Sequence, residues 1–503
     1  SRASAKASGK KWFPYNKGGG FRRWFGYYDS VVDWENDGAN VKEYIKNKNP
    51  NVARSESLYF FEGLTWGLIT SAVFSCRYLP PGFIFDVGGS CGFPASSVRD
   101  FCAGFLNSRV CYEILKCLNP TLNTQVGDLQ RLPLPKTDEK TKANIEKVVA
   151  ELISISQNDW NSMETSWEFL QSPLVADSLT NLAGSWKMFA DKAQKTVDQM
   201  RALEEMNNSF FIKAFGLEKE ISPEVPVEQV TLLANTKYRY GLEISDEEAQ
   251  LRFRRDSVIE FLSYAVGCVM GRYSLDKPGL IYANAGNEGF DPTQYKTFPA
   301  DDDGIVPVCD MDWFSDDATP RLVEFIKTIF GVETLDENLA WIADSFEPKK
   351  GETPVETIRR YFSTQFFKNH MQMYKKRPIY WLFSSGKQKA FECLVYLHRY
   401  NESTLARMRA QYVTPLQGKL NARIEHLRRE TDSATSTAAK TKLRKEVEML
   451  VKKQTELAKF DEELRHYADQ RIKLDLDDGV RANYGKFGTL LAETKTITGG
   501  SEE

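Results

Sequence analysis

Leucine recurs every seven residues at Leu443, Leu450, Leu457 and Leu464, and an earlier stripe runs through Leu416, Leu420, Ile424 and Leu427. Apolar residues at such spacing fall on one face of a helix, and that face must be covered by another element. Between the stripes, Thr431 to Thr437 is built from Thr, Ser, Asp and Ala, a poor helix sequence. Two apolar helix faces joined by a bend predict an antiparallel hairpin over 401–503, packed on its own chain. A basic zipper, suggested by Arg423, Arg428, Arg429, Lys440, Arg444 and Lys445, would need one unbroken helix forking from a dimer. The bend breaks that helix, and Gln454 and Asp461 interrupt the second stripe. Thr414, Pro415 and Gln417 fit an N-cap, a first-turn proline and a capping-box partner, so the first helix is predicted to start at Thr414.

Upstream, the elements are mixed. Val98, Phe101, Cys102, Phe105, Leu106, Val110, Ile114, Leu115 and Leu118 predict one helix, capped by Ser97 with Asp100 and stopped by Asn119-Pro120. Further helices are predicted near 138–156 and 178–207, the latter including Leu179, and around Val258 to Gly267. Strand-like runs lie at Val31 to Trp34, Tyr59 to Ala72, Gly82 to Val87, Ile379 to Phe383 and Ala390 to Tyr396. The fold class is therefore α+β. The 503 residues hold about three domains' worth of chain. Composition and proline breaks divide them into 1–136, a helical connector 137–220, a mixed 221–400, and the hairpin and tail 401–503.

Several function classes drop out. No apolar run reaches the ~18 residues of a membrane span, and the mean hydropathy is −0.45. Ser1 to Lys11 has no apolar stretch, so a secretory signal is not expected. Five of the eight cysteines lie between Cys76 and Cys117 without a CxxC pair, so a zinc ribbon or thioredoxin-type site is not expected, and Cys102 and Cys111 among apolar helix positions predict buried, reduced thiols in a reducing cytoplasm. The four histidines are scattered, so no metal site is expected. Asp344, Glu347 and Lys349 sit too close in sequence, without strand character, for a nuclease triad. The acidic stretch from Asp301 to Asp317 lacks EF-hand spacing and reads as a solvated loop.

Charge points elsewhere. The chain carries 66 Lys and Arg against 69 Asp and Glu, net −3. Residues 1–136 hold 17 against 11, net +6, and the remainder 49 against 58, net −9. Such asymmetry hints at a nucleic-acid face. Its focus is a block in which Lys10, Lys11, Lys17, Arg22 and Arg23 alternate with Trp12, Phe13, Tyr15, Phe21, Trp24 and Phe25 around Gly18, Gly19 and Gly20. Cations neutralise phosphates and read guanine edges, aromatics stack on unpaired bases, and glycines let backbone N–H groups approach phosphate. An amphipathic hairpin with its aromatics in the core fits the same composition, and composition leaves both open. Asp86-Val87-Gly88-Gly89-Ser90-Cys91-Gly92 follows a strand, as cofactor loops do, but Pro94 intervenes and a turn between strands is predicted. Asn119-Pro120-Thr121-Leu122 lacks the second proline and the ring of an amino-methyltransferase motif and reads as a helix stop.

The block Lys11-Trp12-Phe13-Pro14-Tyr15-Asn16-Lys17-Gly18-Gly19 resembles part of the target recognition domain of the PglX family, adenine-specific DNA methyltransferases of BREX phage-defence systems. So do Gly63-Leu64-Thr65-Trp66, Gly82 to Val87, Gly104 to Ser108, Leu118 to Asn123 and Val126-Gly127-Asp128. Parts of this pattern also resemble type I specificity subunits. Lys376 to Phe383, Leu397 to Tyr400 and Leu474 to Val480 are similar to the PglX family itself. The resemblance implies that 1–136 is the C-terminal portion of a target recognition domain, followed by a mainly helical C-terminal domain. It also implies an upstream half, absent here, that binds S-adenosylmethionine and methylates adenine N6 after base flipping. The Ser1 start fits a fragment of that kind. No catalytic residue is then expected in 1–503. Lys10, Lys11, Lys17, Arg22 and Arg23 are expected on phosphates or guanine edges, with Trp12, Tyr15 and Trp24 shaping the surface. Lys375, Lys376, Arg377 and Lys387 are expected to form a second phosphate-contacting edge. The implied partners are double-stranded DNA and other BREX proteins, without a membrane, in the bacterial cytoplasm at the nucleoid. A non-catalytic specificity or scaffold subunit is the alternative.

Overall fold

Strand β1 (Trp12–Asn16) pairs antiparallel with β2 (Val31–Asp33). The chain between these two strands does not turn tightly, because residues 22–26 are buried. In this computed structural model, which describes residues 1–46, 55–69, 73–176 and 180–499, three small sheets carry the strands. The readings of 70–72 as strand, of Leu179 as helix and of the last four residues as tail lie outside the described residues. The chain divides into two compact units, 1–169 with 188–250, and 170–187 with 251–503. The expected edges at 136, 220 and 400 fall inside these units. In the first unit, helix Glu139–Asn161 and the part of helix Leu182–Phe215 from residue 188 onward supply Ile145, Val149, Leu152, Val197, Met200 and Phe211 to the same core as Leu64 and Trp66.

β3 (Gly63–Gly67) is central in the first unit, between β4 (Cys76–Leu79) and β6 (Gly89–Gly92), both antiparallel to it. β5 (Ile84–Phe85) runs parallel to β1. Cys76, Leu64 and Trp66 join the core formed with the helices, where Gly104 meets Asn207 and Val149 so closely that a Cβ would strike both. The single helix predicted over 98–118 is two, Ser96–Leu106 and Arg109–Leu118. Ser97 caps nothing; Ser108 does, its Oγ accepting from the Cys111 amide at 3.2 Å. Asn107 sits at the break because its amide is used to grip both the N–H and the carbonyl of Cys76, at 2.8 and 3.0 Å.

In the second unit, β7 (Ile305–Pro307), β8 (Tyr380–Ser384) and β9 (Glu392–Tyr396) form an antiparallel sheet with β9 in the middle. The helices Thr414–Ser433 and Thr437–Asp469 form the expected hairpin. Its antiparallel sense shows in the ion pairs Arg409–Asp461 and Arg423–Glu446, whose numbers run in opposite directions. Leu416, Leu420, Leu427, Leu450, Leu457 and Leu464 are buried, as the stripes require, and Leu443 is half-buried. Thr414 does not start the helix. A π turn, Arg409–Val413, continues into it from Thr404–Met408. Pro415 has no amide for the preceding turn and its ring crowds the carbonyl four residues back, and a widened turn accommodates both.

The acidic stretch is not a solvated loop. Asp301 and Asp317 are buried. Asp317 caps the helix Ala318–Phe330 and pairs with Arg359 at 3.0 Å. Asp301 accepts from the amides of Asp303 and Gly304, and Arg399 donates to the carbonyls of Asp301 and Asp302. Each acid is therefore used to order backbone, a role that sequence spacing does not signal.

Candidate nucleic-acid interface

Four separated segments of the first unit meet at one edge. β1 delivers Lys17 to Gly20, and the β5–β6 connection delivers Asp86 to Gly88, with Gly89 opening β6. β3 runs out into Leu68 and Ile69, and Asn119 to Thr124 follows the helix Arg109–Leu118. The Leu68 amide donates to the Gly88 carbonyl, the Thr124 amide to the Leu68 carbonyl at 2.9 Å, and Ile69 bridges Asn123. All four segments fall in or next to the blocks that carry the family resemblance. The surface they present is mixed: Lys17, Gly19 and Gly20 are exposed, as are Ile69, Val87 and Leu122.

The glycines serve the backbone first. Gly18 sits at φ +85, where a Cβ would collide with the Gly88 carbonyl, and a Cβ on Gly89 would lie 2.5 Å from the Asn16 carbonyl. The two loops are thus in backbone contact. Asp86 holds the second loop: its Oδ1 accepts from the amides of Gly88 and Gly89 at 2.8 and 3.2 Å, and its Oδ2 from the Tyr15 hydroxyl at 2.6 Å. Burial, reinforced by that bond, keeps the Tyr15 hydroxyl protonated far above its ordinary range. Tyr15 is therefore a buttress between β1 and this loop.

S-adenosylmethionine does not fit these residues. The Gly88 and Gly89 amides already face Asp86, and the segment joins two strands rather than opening a helix. The Asn119 amide donates to Asn123 and Asp128 and accepts from Thr121, so it is committed within its own turn. Among the described residues no group of three or more His, Cys, Asp or Glu is arranged to hold a metal. No helix among them is long and apolar enough to cross a membrane.

The predicted basic block is divided by the fold. Lys10 and Trp12 are exposed and Lys11, half-buried, lies over the Trp12 ring at 5.2 Å, all at the N-terminal end of β1. Lys17 lies just beyond the other end, about 17 Å from Trp12 at roughly 3.3 Å per strand residue. Arg22, Arg23 and Trp24 are interior residues, which removes them from the surface set. Arg22 pairs with Asp159 at 2.9 Å and donates to the Phe25 and Ser156 carbonyls. Arg23 and the Trp24 indole share Glu204, at 2.9 and 2.6 Å. Their acids lie 137 to 181 residues away in sequence, so no local pattern announces the pairing. The second basic edge is also split. Lys375, Lys376 and Arg377 are exposed before β8, whereas Lys387 is exposed on the turn beyond it.

No family model matches the chain. The adenine-specific methyltransferase BrxX of Escherichia coli O9:H4 (strain HS) is 45% identical over 514 aligned residues, which take in 98% of this chain and 41% of that protein. The adenine-specific methyltransferase PglX of Lacticaseibacillus casei (strain Zhang) is 38% identical over 97% of this chain and 39% of its own length. The chain is homologous to a part of each. It spans about two fifths of the length of these curated relatives.

Sequence reasoning missed two features. One is the meeting of the Asn119 to Thr124 turn with the glycine loops, which only cross-chain hydrogen bonds reveal. The other is an open groove of about 1100 Å³ in the second unit, bordered by Asn284, Glu288, Asn401, Arg407 and Arg471. Its Arg471 and Lys473 both pair with Glu402.

Proposed function

We propose that the first unit holds double-stranded DNA for a site-specific N6-adenine DNA methyltransferase of a BREX phage-defence system. The methyl donor S-adenosylmethionine and the catalytic groups then belong to the part of such a protein that these 503 residues do not span. The observation that carries the reading is the similarity along 98% and 97% of this chain to two proteins named adenine-specific methyltransferases. The poor fit of the chain's own glycine loop and Asn119 turn to methyl-transfer chemistry supports the division of labour. Lys10, Lys11 and Lys17 would contact phosphates, with Trp12 and the exposed Gly19 and Gly20 shaping the groove-facing surface. Lys375, Lys376 and Arg377, and separately Lys387, would be weaker phosphate contacts. Other BREX proteins are the expected protein partners, and the work is expected in the bacterial cytoplasm at the nucleoid.

Methylation-aware sequencing of host DNA with and without the full gene tests the activity. Loss of N6-methyladenine at one motif on deletion is expected. An unchanged methylome would favour the specificity or scaffold subunit instead. Replacing Lys10, Lys11 and Lys17 together by Ala in the full-length protein should weaken duplex binding. It should also lower the slope of log affinity against log salt by about 3, at roughly 0.9 per phosphate contact. An unchanged slope would remove these lysines from the interface.

A further inference from the structure

Arg77 differs from its buried neighbours. Arg22 and Arg23 each have a carboxylate, at 2.9 Å. Arg77, in β4, is 1% exposed, yet its Nε, Nη1 and Nη2 all lack a hydrogen-bond partner. No carboxylate pairs with it among the described residues. The nearby thiols do not supply an anion, because burial pushes Cys76 and Cys91 up to about 12 against the pull of Arg77. The Asn16 side chain, bonded through Nδ2 to Thr65 opposite Arg77, also leaves its buried Oδ1 unpaired. A guanidinium taken from water without an acceptor is costly, so a partner from outside this chain is called for.

The position of Arg77 says where that partner comes from. Its guanidinium carbon lies 5.2 Å from the centre of the Tyr27 ring. On its other sides the ring packs edge-on against Trp160, 5.8 Å between centres, and its hydroxyl bonds with Tyr238, while Gly19 and Gly20 lie against it toward solvent: a Cβ on Gly19 would strike the ring, and one on Gly20 would lie 3.1 Å from the Tyr27 hydroxyl. Gly19 and Gly20 are exposed. One aromatic ring therefore separates the unpaired guanidinium from the glycine loop at the surface. Tyr27 itself is held at φ 65, a left-handed conformation that a tyrosine rarely adopts.

We infer that Arg77 is a DNA-contacting side chain held beneath Tyr27, and that displacement of the ring lets it take an acceptor of the duplex. This rests on the first unit being a DNA-holding one. Five N–H donors in a planar fork suit two acceptors side by side, which DNA offers as the O6 and N7 of guanine or as phosphate oxygens.

The test is binding of the full-length protein to a duplex carrying its methylation motif and to a scrambled duplex, for wild type, Arg77→Met, Tyr27→Gly and Lys17→Ala. Arg77→Met should bind the motif duplex about tenfold or more weakly, with a thermal midpoint without DNA equal to or above that of wild type. If guanine is the partner, the loss is confined to the motif duplex. If phosphate is the partner, both duplexes lose equally and the salt slope falls by about 1. Wild-type-like binding by Arg77→Met overturns the inference, and a lowered midpoint with that binding assigns Arg77 to structure. Should Arg77→Met fail to fold, Tyr27→Gly decides. Glycine accepts the φ and uncovers Arg77, so binding should tighten, and unchanged or weaker binding overturns the inference. Loss on Lys17→Ala but not on Arg77→Met leaves the DNA reading standing without Arg77. No duplex binding by wild type overturns both.

Discussion

Arg22, Arg23 and Trp24 are a basic and aromatic triplet whose meaning is set by two distant carboxylates. Burial holds the Glu204 carboxyl above its usual range, against the opposing pull of Arg23 and the Trp24 indole. Glu204→Ala would strand both partners in the core. It should cost about 3–5 kcal/mol, the usual penalty for breaking a buried pair from one side, measurable by urea unfolding. His370 gives a pH signature in the second unit. Burial, then the charge of Arg272, lowers it from 6.5 to about 3. The amides of Ile379 and Tyr380 both donate to its Nε2, at 3.1 Å, which also favours the neutral ring. In the unfolded chain it binds a proton below 6.5, in the folded chain only near 3. Stability contributed by the neutral ring is thus complete above pH 6.5 and lost as pH falls toward 3, by up to about 1.4 kcal/mol per pH unit. His370→Gln should flatten that part of a thermal-midpoint profile, and an identical profile would show that other groups control it. Neither role was legible locally, because a residue's burial depends on what the rest of the chain brings to it.

Elements were more legible than residues. The hairpin followed from period and bend because a continuous apolar stripe has few ways to be covered. What the stripe did not show is how the hairpin is fastened. Lys453, 3% exposed, pairs with Asp310 at 2.6 Å. Glu456 accepts from the Ser385 hydroxyl and from the amides of Gln388 and Ala390, so one carboxylate pins the β8–β9 turn. Glu456→Ala leaves these donors without their acceptor, at about 1–3 kcal/mol for each one that stays buried. Hydrogen exchange at the Gln388 and Ala390 amides should accelerate at least tenfold, about 1.4 kcal/mol in local opening, while the Leu450–Leu464 helix amides change less. Element ends were read least well. Thr414 and Ser97 look like caps, but the first is overridden by a π turn and the second by a start at Ser96. Ser108 was the real signal, hidden inside an otherwise unbroken apolar period.

At the scale of the molecule, the charge of −3 conceals a +6 segment within the first unit. If that unit holds duplex, adding DNA to the full-length protein should protect the amides of Lys10 to Gly20 and Gly88-Gly89 from exchange. The helices 414–469 should be unaffected. Protection confined to the hairpin would place the DNA elsewhere. The sequence by itself determined the α+β class, the helical hairpin and the likeness to adenine-specific methyltransferases, because apolar period and contiguous motifs are local properties. Only the tertiary structure decided which cations face water. Lys17 and Arg22 are five residues apart in one basic run, yet the first is exposed and the second is 1% exposed against Asp159. Charge is written in the sequence, but the cost of burying it is met by partners that folding brings from far along the chain.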